Sequence, residues 1–248
     1  MIVVGGFDPS GGAGLLRDAA TAAARGARVH AVGTAWTVQG DGVHRVEPRP
    51  PAAVRTDVID AIATLRPTAV KIGMAVGPAT AAALVEGLGD YSGPVVVDPV
   101  LATSRGGALW EGAPRDLLPL LRRATLATPN AVEAAALTGR TMRDVDDAER
   151  AGVQLVEQDG LRSALVKGGH LDEALVTDVL VTPGRVRPKS HARVAGRSPR
   201  GTGCALATAI AVDLGRGRDL LAAVDAATAW LVGAIAAAVD VGGERHLG

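Results

Sequence analysis

Short runs of β-branched and other apolar residues alternate along this chain with longer, alanine-rich stretches whose polar positions recur at helical spacing. Met1–Val4 reads as a strand running into Gly5-Gly6, and Ala13–Arg25 as a helix stopped by Gly26. Arg28–Thr34 is the next strand, and Pro48 to Pro51 mark a loop before a helix over Ala53–Leu65. Strands at Ala69–Ile72, Val95–Val97, Thr125–Ala127 and Ala164–Val166 are separated by helices at Ala79–Leu88, Leu117–Arg122, Ala131–Leu137 and Asp146–Gln158. Leu175–Val181 and Arg185–Pro188, divided by Pro183-Gly184, form an expected antiparallel hairpin. Helices at Cys204–Leu214 and Leu220–Val239 follow.

Strands that are apolar throughout, each followed by a helix, imply a mainly parallel sheet covered on both faces. No linker or shift of composition interrupts the pattern, so residues 1–248 are expected to make one α/β domain. In such sheets ligands bind beyond the carboxyl ends of the strands. Those ends carry Gly5-Gly6-Phe7-Asp8, Lys71-Ile72-Gly73-Met74, Asp98-Pro99, Thr128-Pro129-Asn130 and Lys167-Gly168-Gly169-His170, so glycines and polar groups gather at one edge.

Composition narrows the class. The 26 Lys+Arg balance 26 Asp+Glu, so there is no global positive field to draw a nucleic acid. Cys204 is the only cysteine, which rules out an intrachain disulfide and a four-cysteine zinc site, and suits the reducing cytoplasm. The first residues lack the basic segment and apolar run of a signal peptide. Leu220–Val239 has the length of a membrane span, but Asp225 within it favours a helix buried in protein.

Six stretches can carry chemistry. Arg200-Gly201-Thr202-Gly203-Cys204 precedes an apolar helix; converging amides and the helix dipole would cradle an anion there and favour a Cys204 thiolate. The same letters also describe a plain glycine turn with Thr202 as N-cap. Asn130 with Glu133 fits a capping box, or a carboxylate that holds a metal-bound water. Asp98 is a strand-end carboxylate suited to magnesium, or an Asp-Pro turn. Lys167 reaches a phosphate as a point charge, or is a solvated loop lysine. The loop from Gly5 to Gly14 admits a ligand close to the backbone but lacks the dinucleotide-binding register. Gln39 can donate and accept at once, as the edge of an aminopyrimidine requires, or is a surface amide.

Taken together and in order, GGFDPSGGAGLLRDAATAAARGA, GTAWTVQG, VKIGMA, VVVDPVLATS, TPNAVEAAALTG, ALVKGGH and RGTGCALATAIA resemble the hydroxymethylpyrimidine/phosphomethylpyrimidine kinases of thiamine biosynthesis, from Gly5 to about Val239. The resemblance implies a three-layer α/β/α, ribokinase-like fold without a large lid. It implies phosphorylation of 4-amino-5-hydroxymethyl-2-methylpyrimidine and then of its monophosphate, using ATP and Mg²⁺, by a homodimer. Gln39 would read the ring, and Asp8, Asp18, Met74 and Gly6 would line or support its pocket. Gly201, Thr202, Gly203 and Cys204 would form the anion hole, with Cys204 as base for the first transfer. Lys167 would contact the ATP phosphates, and Asp98 and Glu133 would hold Mg²⁺ through water. The chain departs from the family at Arg200, where histidine is usual, at Pro199, Leu101, Val132 and Ala135, and at Gly40-Asp41-Gly42. The competing readings are a pyridoxal kinase, a sugar kinase of the same scaffold, and a pyrimidine-binding regulator without catalysis.

Overall fold

The computed structural model describes residues 1–39, 43–103, 107–170, 175–196, 198–241 and 244–247; the side chains of Gln39, Val43, His44, His170, Val241 and Glu244 are outside the description. The chain runs β1 (Ile2–Phe7), α1 (Gly14–Ala24), β2 (His30–Gln39), β3 (Val43–Pro48), α2 (Pro51–Leu65), β4 (Val70–Ile72), α3 (Pro78–Leu88) and β5 (Val95–Val97). It continues through α4 (Leu118–Arg123), β6 (Leu126–Ala127), α5 (Ala131–Thr138), α6 (Val145–Val153), β7 (Ala164–Val166), β8 (Leu175–Thr182) and β9 (Arg185–Ala192). It closes with α7 (Thr202–Gly215), α8 (Leu220–Ala236) and a small hairpin, β10 (Val239–Val241) and β11 (Glu244–His246).

Among the described residues, nine strands form one sheet in the order β3-β2-β1-β4-β5-β6-β7-β8-β9. The strands from β2 to β7 are parallel, while β3, β8 and β9 pair antiparallel. The apolar strands bury both faces, and their two-residue period sends alternate side chains to different layers. Val95 and Val97 of β5 join the core beneath α2 to α6, while Val96 joins the core beneath α7 and α8. Ala164, Val166 and Leu165 divide in the same way on β7. These are the three layers the sequence pattern implied.

Local chemistry sets several helix ends. Prolines open α2 and α3 at their first turns, where a missing N–H costs nothing. Asp219 caps α8 by accepting from the Ala222 amide at 2.9 Å. Asn130 and Glu133 close a capping box on α5.

The structure corrects some expected boundaries. β2 continues five residues past Thr34 because Ala35–Gln39 is paired along β3, a strand the apolar pattern does not predict. β9 passes through Pro188 to Ala192; it is the sheet's edge, where a proline removes no needed donor. α8 stops at Ala236 because Val239 is drawn into the terminal hairpin. The helix expected over Asp146–Gln158 ends in a π-helical turn, Gln154–Gln158. No described helix is long and apolar enough to cross a membrane.

Candidate active site

A cavity of about 360 Å³ opens where the carboxyl ends of β1, β4, β5 and β7 meet the start of α7. Gly201 takes φ 73° and lies so close to the 12–13 backbone that a Cβ there would sit 2.3 Å from the Gly12 carbonyl oxygen. This left-handed turn starts α7 abruptly. The first ladder bond comes from the Ala205 amide to the Gly201 carbonyl at 2.9 Å, so the amides of Thr202, Gly203 and Cys204 have no acceptor within the helix. Gly201, Gly203 and Cys204 line the cavity; Thr202 does not. The expected N-cap is also one residue out, since Gly201 occupies that position and Thr202 is the first helical residue.

One wall carries a lysine between carboxylates. Lys167 Nζ donates to Asp98 Oδ1 at 2.7 Å, and Thr128 Oγ1 donates to the same oxygen at 3.2 Å. A Cβ on Gly203 would lie 3.1 Å from Lys167 Nζ and 3.5 Å from Asp98 Oδ2, which puts this pair directly against the helix start. Burial opposes ionisation of both groups, but their mutual attraction outweighs it: Asp98 is held below the usual carboxylate range and Lys167 above the usual amine range. Glu133 also lines the cavity while its Oε2 accepts the Asn130 amide at 2.8 Å, so the capping role and the site role coexist in one side chain. Burial raises Glu133 to about 7, with Lys167 offsetting part of that and Asp98 adding to it.

Beneath the helix start lies a second ion pair. Lys71 Nζ donates to both oxygens of Asp18, at 2.9 and 2.8 Å, and Thr208 Oγ1 donates to Asp18 at 2.8 Å. Both charged side chains are essentially buried, and both border the cavity. Burial pulls the Lys71 pKa down, but Asp18, with smaller help from Cys204 and Asp98, more than offsets it, and the ammonium stays charged. Cys204 accepts the Gly14 amide at its sulfur, yet burial pushes the thiol up to about 11 and Lys71 offsets only part of that. Burial therefore works against the thiolate that the helix start favours.

The remaining lining is largely apolar. Met74, Val100 and Leu109 face Thr37 and Gly6, and a Cβ on Gly6 would come within 2.8 Å of Met74 Sδ. Met74 is brought there by a tight turn centred on Val76, whose φ of 64° is a conformation β-branched residues avoid at a cost of about 1–3 kcal/mol. Asp8 is not part of the lining. It is buried behind the rim, where it accepts the Ser10 amide at 3.0 Å and Arg200 Nη2 at 3.1 Å. The Gln39 side chain and the Gly40-Asp41-Gly42 loop fall outside the described residues.

Of the lining, Met74 is among the residues the resemblance points to, whereas Lys71, Val100 and Leu109 are not. The signal for Lys71 was available, as it is one of three lysines in the chain and sits inside an apolar strand. Leu109 carries no such signal, because it follows a stretch with no regular period. A second cavity, of about 300 Å³, lies between α8 and the β7–β9 strands. Leu165, Leu180, Leu221 and Val224 form its walls. Its polar lining is Asp178, Thr228, Arg187, Lys189 and Asp225; the Thr228 hydroxyl is buried without a partner, and Asp178 accepts the Gly168 amide, next to Lys167, at 2.9 Å.

No group of three or more metal-ligating side chains occurs among the described residues. Two carboxylates facing one cavity nevertheless suit Mg²⁺, which keeps several waters and takes one or two protein carboxylates together with substrate phosphates.

Sheet order, a cavity at the strand ends and unpaired amides at a late helix start are together those of a ribokinase-like small-molecule kinase. The Phosphomethylpyrimidine kinase family model matches residues 8–247, and the chain belongs to that family. It is 38% identical to a hydroxymethylpyrimidine/phosphomethylpyrimidine kinase of Rhizobium meliloti, over 95% of this chain and 90% of that one. It is 36% identical to the kinase of the same name from Streptomyces coelicolor, over 98% and 91%. A crystal structure of phosphomethylpyrimidine kinase from Clostridium difficile superposes with TM-score 0.79 at 32% identity, covering 94% of this chain and 98% of that one. Pyridoxal kinase from Staphylococcus aureus shares the fold, with TM-score 0.87 at 24% identity over 100% and 92% of the chains.

Proposed function

We propose that this chain, as one kinase domain over residues 1–248, transfers the γ-phosphoryl group of ATP to 4-amino-5-hydroxymethyl-2-methylpyrimidine and then to the resulting monophosphate. One observation carries the reading. The unpaired amides of α7, the Lys167–Asp98 pair and the apolar surface of Met74, Val100 and Leu109 all face one cavity. A flat heterocycle fits the apolar side, and its hydroxymethyl arm then points at the anion-binding side.

Phosphoryl transfer needs alignment and neutralisation of charge far more than covalent help. The Gly203 and Cys204 amides would meet the charge on the equatorial oxygens, and Lys167 would hold the donor phosphates. The bond from the γ-phosphorus to its bridging oxygen breaks, and a bond from that phosphorus to the acceptor oxygen forms. In the first transfer the hydroxyl proton passes late, as the new bond forms, to an oxygen of the phosphoryl group being transferred, so the neutral Cys204 thiol is not required as a base, and residue 204 acts through its amide. In the second transfer the acceptor is already an anion and needs none. Asp98 and Glu133 would hold Mg²⁺ through water; the ion would neutralise the phosphate oxygens. The second cavity would take the nucleoside of ATP, with Asp178 and the Thr228 hydroxyl offering hydrogen bonds to the base edge. We further propose a cytoplasmic homodimer: the lone cysteine supports the first point, and the exposed Trp36 and Val38 on β2 support the second.

The test is to supply MgATP with the pyrimidine alcohol and with pyridoxal in separate incubations and to follow ADP release. A higher kcat/KM for the pyrimidine is expected. Faster turnover of pyridoxal would move the chain to the other vitamin kinase, and pyrimidine binding without ADP release under any divalent metal would make it a regulator.

A further inference from the structure

Lys167 stands where the chain leaves β7, and both peptide groups flanking its Cα are tied. Its own N–H donates to the Pro129 carbonyl at 2.8 Å, and the next N–H, that of Gly168, donates to Asp178 Oδ1 at 2.9 Å. Two held peptide planes around one Cα set its φ and ψ, and so the direction in which the side chain departs. The far end of that side chain is held by Asp98, which accepts from Nζ at 2.7 Å. A lysine stem is long and flexible, so the aim of its ammonium depends on both ends.

The two backbone ties differ in origin. The first extends the sheet, because Lys167 bridges in parallel to Asn130 just beyond β6. The second is not a ladder bond. The antiparallel pairing of β7 with β8 ends at Val166 and Val179, and at the next position the Asp178 side chain takes the place of main chain. Gly168 presses so closely on β8 that a Cβ would lie 2.1 Å from the Thr177 carbonyl oxygen. Asp178 itself is 6% exposed, and burying a carboxylate is costly. Strand pairing alone gives no reason for one at this place. The tie it makes to the neighbour of the lysine does.

We propose that Asp178 is a positioning residue for Lys167: by holding the Gly168 amide it aims the ammonium at the donor phosphates. The proposal rests on the phosphate role given to Lys167 above.

Asp178→Leu keeps the bulk of the side chain and removes the acceptor, and Asp178→Asn restores it. Amide hydrogen exchange in the ligand-free chains reads the position directly. In Asp178→Leu the Lys167 amide, whose own acceptor is untouched, should exchange about tenfold faster, while the Val95–Val97 amides keep their wild-type rates; Asp178→Asn should bring Lys167 back to within about threefold. Calorimetric titration with magnesium tripolyphosphate, a phosphate chain without a base, reads the consequence. Asp178→Leu should weaken its binding about three- to tenfold in the wild-type background and less than about twofold in a Lys167→Ala chain. Asp178→Ala provides a second variant should the leucine chain not fold. An unchanged Lys167 amide, acceleration spread evenly over the sheet, no recovery in Asp178→Asn, or equal weakening with and without Lys167 overturns the proposal. A wild-type chain that does not bind tripolyphosphate would refute the phosphate role of Lys167 instead, while the exchange comparison would still decide the positioning.

Discussion

Gly203→Ala is the cleanest probe of the anion-binding turn. Gly203 lies outside the left-handed region, so alanine is acceptable to its backbone. The added methyl meets Lys167 Nζ at 3.1 Å and Asp98 Oδ2 at 3.5 Å. The ammonium is held to Asp98 at 2.7 Å and cannot simply swing aside. It must yield by a few tenths of an ångström, and the methyl also intrudes on the space beside the Gly203 amide. Complete loss of one oxyanion-hole donor costs about 10²–10³-fold in kcat. A partial displacement should therefore cost about 10–100-fold, or about 1.4–2.7 kcal/mol of transition-state stabilisation. The melting temperature should stay close to wild type. Gly201→Ala is the contrast. Its φ of 73° disfavours alanine by about 1–2 kcal/mol, and the new Cβ would lie 2.3 Å from the Gly12 carbonyl oxygen, so lost stability should accompany lost activity. Steady-state ADP release and thermal melting of both variants give the answer. A Gly203→Ala enzyme with wild-type kcat would refute the placement of the migrating phosphoryl group at this turn.

Other consequences can be checked in the same assays. Glu133 is raised to about 7, so the carboxylate that would hold the metal water is lost as pH falls through 7; kcat/KM should drop about tenfold per pH unit below that value, with the acid limb moving to lower pH as Mg²⁺ is increased. A limb that ignores Mg²⁺, or that persists in Glu133→Gln, would contradict the assignment. Lys71→Met strands the buried Asp18 charge and should destabilise the fold by about 3–5 kcal/mol in denaturant unfolding; a loss below about 1 kcal/mol would show that the pair is not carrying opposite charges. Cys204→Ala should slow the first transfer by no more than about tenfold, because a thiol near 11 is almost wholly protonated at neutral pH. A loss of about 10²–10⁴-fold, with a rate that climbs toward pH 11, would reinstate the thiolate as general base.

Much of this architecture could be read before folding, since continuous apolar runs such as Val95–Val97 and Ala164–Val166 suit only strands buried on both faces. The gathering of Asp98, Lys167 and Gly203 at one edge follows from those strands being parallel. What escaped depends on partners distant in sequence. β3 is visible only as the mate of an extended β2, and α8 ends early because Val239 pairs with His246. Cys204 shows a related tension. A helix start argues for a thiolate locally, whereas burial among elements distant in sequence pushes the thiol upward. Glu133 shows the opposite case, where a capping box and a site carboxylate are one residue and the two readings never competed.

The most direct test of two successive transfers in one cavity is a mass-resolved time course with the pyrimidine alcohol and MgATP. The account predicts that the monophosphate rises and then gives way to the diphosphate, and that Gly203→Ala slows both conversions. A pyrimidine that remains unphosphorylated while ATP is consumed, or a Gly203→Ala enzyme slowed in only one of the two steps, would contradict it.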